Sequence, residues 1–431
     1  MGIPAGPLGA FTRVWVAALL LALMAGCSPA ENGPESAPGP VFEPKADAPP
    51  PLLLISIDGL RHDYLPRADT PVIDRLAREG LQADALIPVY PSKTFTNHYA
   101  IVTGLYTENH GVVANRMWDP ARQARFTLGD ADAVGDGRWF DGEPIWVTAE
   151  RQGLTAATYF WPGSEAEIAG YRPTFWKRYN ARVSHAERIA TIVEWLDLPP
   201  AERPDFLTLY FHSVDAVGHR RGPDSDEVIE ALEAVDADLS GLLAELEARA
   251  LLGHMHILLV TDHGMAEIDS ERRIYLDDYL PLDDVRISDL GPTAHIWAED
   301  MPAEAVRDAL QEAHPNLRVW LREEVPERYR FRDHPRIPDV VAEADLGWEI
   351  GDRRRGLAAR AAQMLRGAHG WDPAYPEMHG IFIAHGPAFA PGSRMPAIEV
   401  VHLYELMAHL LELEPAPNDG SLAVFEDSLR Q

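Results

Sequence analysis

Six side chains with metal-ligating chemistry and one hydroxyl stand out in this sequence: Asp58, Asp215, His219, Asp262, His263, His379 and Thr94. Three of the groups follow apolar runs. Asp58 ends Leu52-Leu53-Leu54-Ile55-Ser56-Ile57, Asp215 and His219 follow Phe206-Leu207-Thr208-Leu209-Tyr210-Phe211, and Asp262-His263 follows His256-Ile257-Leu258-Leu259-Val260. Imidazole nitrogens and carboxylate oxygens are the donors that zinc takes, with a position kept open where the metal is catalytic. Asp215 and His219 are four apart, so one helical turn aims both at a single ion. Six such ligands with a hydroxyl suit two ions about 4 Å apart, the spacing of two-metal phosphoryl-transfer sites.

Thr94 opens a stretch that reads as a short helix and stops at Gly104. A hydroxyl there faces free backbone N–H groups and the positive end of the helix dipole, a seat for phosphate. It becomes a nucleophile only when a base or a metal removes its proton; otherwise it is an ordinary cap. His98, His110, His212, His254, His256 and His385 fall outside the strand-end pattern and read as surface or supporting residues.

The elements that must position these groups alternate. The apolar runs read as buried parallel strands, and amphipathic segments at 186–196 and 225–250 read as helices between them. Alternating strands and helices give an α/β fold with a mostly parallel central sheet covered on both faces. Ligands then bind beyond the carboxyl ends of the strands. Residues 266–367 are less regular and read as a small inserted subdomain within a catalytic domain spanning 51–420.

The amino-terminal part reads differently. Arg13, the apolar run Val14–Ala25 and Gly26 make residues 1–26 a signal peptide. Leu23-Met24-Ala25-Gly26-Cys27 has the form of a bacterial lipoprotein box, so Cys27 is expected to carry lipid. The expected location is periplasmic, with the lipid held in the outer membrane. Residues 27–50 would be a disordered Pro-rich tether. Cys27 is the sole cysteine, so no internal disulfide is possible. A net charge of −29 argues against nucleic acid as a partner.

Ile57-Asp58-Gly59, Pro91-Ser92-Lys93-Thr94-Phe95-Thr96-Asn97-His98-Tyr99, Thr103-Gly104-Leu105-Tyr106, His110-Gly111, Phe160-Trp161-Pro162-Gly163-Ser164, Asp215 with Gly218-His219, Thr261-Asp262-His263-Gly264-Met265 and Met378-His379 together resemble the nucleotide pyrophosphatase/phosphodiesterase family of the alkaline phosphatase superfamily. The resemblance runs from about Leu52 to Leu413 in motif order. It implies the three-layer alkaline-phosphatase-like fold and two Zn²⁺, one on Asp58, Thr94, Asp262 and His263, the other on Asp215, His219 and His379. It implies Thr94 as nucleophile, Asn115 on a phosphate oxygen, Phe95 and Tyr179 sandwiching a nucleobase, and Tyr210 lining the same pocket. The implied reaction is hydrolysis of nucleotide phosphodiester or pyrophosphate bonds through a phosphothreonine, releasing nucleoside 5′-monophosphates. The implied partner is therefore a small nucleotide or phosphodiester, with membrane contact only through the lipid anchor.

Other chemistries fit less well. A phosphomonoesterase must neutralise a dianionic phosphate, whereas Phe95 after Thr94 offers a stacking face. A lipid-type phosphodiesterase of the same superfamily stays open, as does a zinc-dependent surface protein that holds nucleotide without consuming it. A sulfatase needs a Cys or Ser in a Cys/Ser-x-Pro-x-Arg context, which the mature chain lacks.

Overall fold

The computed structural model describes residues 42–45, 48–355 and 364–430. The leader, Cys27 and most of the expected tether lie outside them. Eight strands form the main sheet: β1 (Leu52–Ile57), β2 (Leu81–Ala83), β3 (Ala156–Tyr159), β4 (Phe175–Lys177), β5 (Phe206–Phe211), β6 (His256–Val260), β7 (Phe382–His385) and β8 (Ser393–Met395). Their spatial order is β8-β2-β7-β6-β1-β5-β3-β4. All neighbours are parallel except β7, which runs antiparallel to both β2 and β6. No helix among the described residues is long and apolar enough to cross a membrane.

The continuous apolar character of β1 follows from its central place. Alternate side chains enter opposite cores. Leu52 and Leu54 join one core with the helix Thr94–Thr103 and residues of 403–411; Leu53, Ile55 and Ile57 join the other with the helices His185–Leu196 and Asp226–Ala248. The expected three layers result. Because β6, β1 and β5 are adjacent and in register, Ser56 beside Val260 and Ile57 beside Phe211, their carboxyl ends deliver Asp58, Asp262 and the helix carrying Asp215 to one place.

Residues 285–344 contain a separate antiparallel sheet of Val285–Asp289, Thr293–Ala298, Val340–Ala344 and Leu317–Leu321, in that spatial order. It has its own apolar core with the helix Ala303–Gln311. It touches the nucleophile region through buried polar groups. Glu343 is fully buried, 2.7 Å from an Arg318 guanidinium nitrogen, and accepts a hydrogen bond from the Tyr329 hydroxyl at 3.3 Å. Tyr329 stacks on Tyr90, just ahead of the nucleophile loop.

Burial pushes the Glu343 carboxyl up from 4.5 to about 7. Folding therefore favours its protonated form. That contribution is fully present below pH 4.5 and is lost as pH rises to about 7, on the order of 3 kcal/mol across the window. Urea unfolding across this range should show the parent losing stability relative to Glu343→Gln as pH rises. Parallel stability curves for the two would refute the assignment.

Candidate active site

Thr94 is the first residue of the helix Thr94–Thr103, and Lys93 occupies the cap position in extended conformation. Gly104 ends the helix at φ +67°, a left-handed geometry that suits glycine. At the carboxyl end of β1, Gly59 adopts φ +70°; a Cβ there would sit 2.9 Å from the Asp215 Cα. Only glycine lets the Asp215 backbone come this close, and its N–H donates to the Asp58 carbonyl at 3.0 Å. Asp215 and His219 then face the cluster from the helix Ser213–Arg221, with His219 Nε2 3.3 Å from Asp215 Oδ1.

The centre of the site is crowded with charge. His263 Nε2 lies 2.9 Å from Asp262 Oδ2, 3.5 Å from Asp58 Oδ1 and 3.2 Å from the Thr94 hydroxyl. Asp58 Oδ1, Asp215 Oδ1 and Asp262 Oδ2 are sealed from solvent with no hydrogen-bond partner. Buried carboxylates in this condition are costly unless a cation meets them. Burial, followed by repulsion from Asp262 and Asp215, holds the Asp58 carboxyl well above its ordinary range. Burial opposes ionisation of Asp215 too, yet His219 overrides it and brings Asp215 down to about 2. For His219 burial again acts against charge, and Asp215 outweighs it, lifting the imidazole to about 9.

Three imidazoles are oriented alike. His263 Nδ1–H donates to the Gly264 carbonyl at 2.9 Å, His219 Nδ1–H to the Gly367 carbonyl at 2.8 Å, and His369 Nδ1–H to the Ser92 carbonyl at 2.8 Å. A carbonyl only accepts, so each Nδ1 carries a hydrogen, and Nε2 is the nitrogen that offers a lone pair once the ring is neutral. A backbone carbonyl on the far nitrogen is the usual support of a metal-ligating histidine. Ligand atoms of Asp215, His263 and His369 all lie within 4.8 Å of one another. The donors, their orphaned oxygens and their fixed tautomers fit divalent metal.

The structure thus corrects one expected ligand. His379 does not join this group: its Nε2–H donates to the Pro373 carbonyl at 2.8 Å, and its ring faces His62 at 5.9 Å. His369 stands in the cluster instead, its ring stacked 3.4 Å from that of His263. Both histidines precede a glycine, and spacing alone does not separate them. His379 leads into β7, the one antiparallel strand, and its side chain turns away from the cluster. The loop holding His369 is tied to the nucleophile loop, since Ser92 Oγ also donates to the Trp371 carbonyl at 2.8 Å.

Of the histidines expected at the surface or in supporting places, His98, His110, His256 and His385 are buried, which excludes a surface position for these four. His98 Nδ1–H donates to the Thr94 carbonyl at 2.9 Å, and its Nε2 accepts from the Ser56 hydroxyl at 2.8 Å. Both nitrogens are used, so His98 braces the nucleophile turn and is unavailable to an ion, despite lying near Asp58 and Asp262. Asn115 Oδ1 accepts from the Phe95 backbone N–H at 3.0 Å, which leaves its amide hydrogens for another acceptor. Tyr210, expected only as a pocket wall, also donates its hydroxyl to Asp58 Oδ2 at 2.5 Å.

A cavity of about 390 Å³ opens beside the cluster, with Asp58, Thr94 and Asp215 at one end and Phe95, Tyr179 and Tyr210 along it. Tyr179 is held there by its backbone N–H, which donates to Glu165 at 2.8 Å.

The family model described as type I phosphodiesterase / nucleotide pyrophosphatase matches residues 52–372. The chain belongs to this family. It is 37% identical over 378 residues to human ectonucleotide pyrophosphatase/phosphodiesterase family member 5, covering 88% of this chain and 78% of that protein. It is 39% identical over 387 residues to mouse family member 1, covering 86% of this chain and 42% of that protein, so it spans less than half of that relative. The structure of murine member 5, in an inactive threonine-to-alanine form in complex with AMP, superimposes with a TM-score of 0.84 at 36% identity, covering 88% of this chain and all of that one. The expected fold class and family resemblance both hold: this is a nucleotide pyrophosphatase/phosphodiesterase family enzyme with the alkaline-phosphatase-like α/β fold.

Proposed function

We propose that this enzyme hydrolyses phosphodiester or pyrophosphate bonds of nucleotides through a phosphothreonine on Thr94, releasing nucleoside 5′-monophosphates with two zinc ions as cofactors. The observation that carries the proposal is a hydroxyl at a helix start, 3.2 Å from His263 Nε2, between orphaned carboxylate oxygens and an aromatic cavity. Asp58, Asp262 and His263 with the Thr94 hydroxyl would hold one ion; Asp215, His219 and His369 would hold the other. Bound zinc supplies Lewis acidity and positive charge, which favour an ionised hydroxyl and stabilise phosphoryl oxygens.

The chain's own groups do the rest. Phe95, Tyr179 and Tyr210 receive the base, which fixes the scissile phosphate at the cavity's catalytic end. Thr94 Oγ1 gives up its proton to solvent and attacks phosphorus, and the bond to the leaving oxygen breaks. The Asn115 amide donates to a non-bridging oxygen as charge builds there. Water then attacks phosphorus, the Thr94–phosphorus bond breaks, Thr94 Oγ1 regains a proton, and the monophosphate is freed. AMP in the relative's inactive threonine-to-alanine form supports the same ligand class here. As for location, we infer export to the periplasm with Cys27 lipid-anchored in the outer membrane; its support is the leader pattern in the sequence.

The zinc-loaded protein is expected to cleave the nitrophenyl ester of thymidine 5′-monophosphate by at least about a hundredfold in kcat/KM over nitrophenyl phosphate, which lacks the stacked base. Preference for the monoester would make it a phosphomonoesterase. Nucleotide bound but never consumed would make it a binding protein.

A further inference from the structure

A second cavity, of about 420 Å³, opens on the same cluster. Its catalytic end is formed by Asn115, His219 and His369, none of which lines the aromatic cavity. Leu128 and Gly129 line both, so the two adjoin as lobes of one trough. Each lobe has the size of a small-molecule site. With the base in the aromatic lobe and phosphorus at Thr94, the polar lobe is where the departing group is accommodated.

Its lining is charged, and each of its cations is paired with a carboxylate. Lys93, Arg116 and Arg273 face Asp289, Glu349 and Asp352. Lys93 forms a buried ion pair with Asp289, whose other oxygen lies 3.6 Å from Arg116. Arg273 lies 2.5 Å from Glu349, and Asp352 lies 3.4 Å from Arg354. A departing pyrophosphate would bring several negative charges among three carboxylates, to cations already engaged. An uncharged alcohol brings none, and its hydroxyls find carboxylate acceptors. The net charge of −29 further disfavours long polyanionic chains.

We infer that the polar lobe receives the leaving group and selects one that is uncharged and rich in hydroxyls, such as a second nucleoside. This rests on the phosphodiesterase function proposed above and narrows it to small nucleotide diesters over pyrophosphates. In the reaction, the bond between phosphorus and the leaving oxygen breaks as the Thr94–phosphorus bond forms. The leaving oxygen takes a proton and departs as an alcohol, and water releases the 5′-monophosphate.

The test is kcat/KM of the zinc-loaded full chain on adenylyl-(3′,5′)-adenosine and on ATP, with nitrophenyl thymidine monophosphate as a reference. The diester should be favoured by about tenfold or more. ATP cleaved equally well or better, with the reference still turned over, overturns this inference alone. No cleavage of any of the three overturns the phosphodiesterase function, and this inference with it. Asp289→Asn and Glu349→Gln each remove a carboxylate and release a cation, so each should move the preference towards ATP by about tenfold. The second variant serves if loss of the buried Lys93 partner prevents folding in the first. An unchanged preference in the folded variants shows that the lobe does not hold the leaving group.

Discussion

Thr94→Ala is expected to lower turnover of a nucleotide diester by at least about 10⁴-fold, since loss of a nucleophile removes the whole covalent route. The fold should survive. Thr94 is half-buried, and its one side-chain hydrogen bond is to His263. The contact that braces the turn uses the Thr94 backbone carbonyl and His98, which alanine retains. Alanine is also the better helix former, so unfolding free energy should change by no more than about 1 kcal/mol. Asp58, Asp262 and His263 remain, and the aromatic cavity is untouched. Calorimetry with AMP should therefore still detect binding in the zinc-loaded variant. Thr94→Ser keeps a hydroxyl and should retain measurable turnover. Alanine at 94 with parental turnover would remove Thr94 from the chemistry.

This site was legible wherever local pattern and site geometry coincide. The strands β1, β5 and β6 are buried on both faces, so each reads as an unbroken apolar run. Being adjacent and parallel, they bring the residues after them to one edge. Asp58, Asp215, His219, Asp262 and His263 were accessible to that logic. Phe95, Tyr179 and Tyr210 came from resemblance, and the structure gathers them along one cavity. What spacing did not contain was any contact formed by loops. His369 is placed by a hydrogen bond to Ser92, 277 residues earlier in the chain. The Lys93–Asp289 pair spans 196 residues and joins the nucleophile loop to the separate sheet of residues 285–344. Such pairings depend on tertiary approach, and neither partner shows periodicity. His98 lies off the strand ends, so the pattern leaves open whether it is a surface or a supporting residue; its supporting place is tertiary, with Ser56 and the Thr94 carbonyl satisfying it in a sealed interior.

The place of His369 in the cluster, where His379 was expected, gives the sharpest remaining prediction. His369→Ala should reduce kcat/KM by more than about a hundredfold, since loss of a mere supporting partner of a metal ligand costs 10–100-fold. Dialysed protein should also hold less zinc than the parent, a readout independent of turnover. The Nε2 lone pair of His369 points at the cluster, 3.8 Å from Asp215 Oδ1. Burial, with His263 and His219 nearby, holds its imidazole well below its ordinary value, so it is neutral and able to ligate. His379→Ala removes only a hydrogen bond to the Pro373 carbonyl and a ring contact with His62. Its zinc content and kcat/KM should stay close to those of the parent. The two substitutions delete the same side chain ten positions apart, each beside a glycine, so an effect of lost imidazole in general would appear in both. If His379→Ala loses zinc and His369→Ala does not, the ligand assignment drawn from the Nδ1 hydrogen bonds is wrong. If both lose it, the His62–His379 contact must support the metal site through the Met378 carbonyl, which accepts from Gly264 N–H at 2.8 Å next to His263.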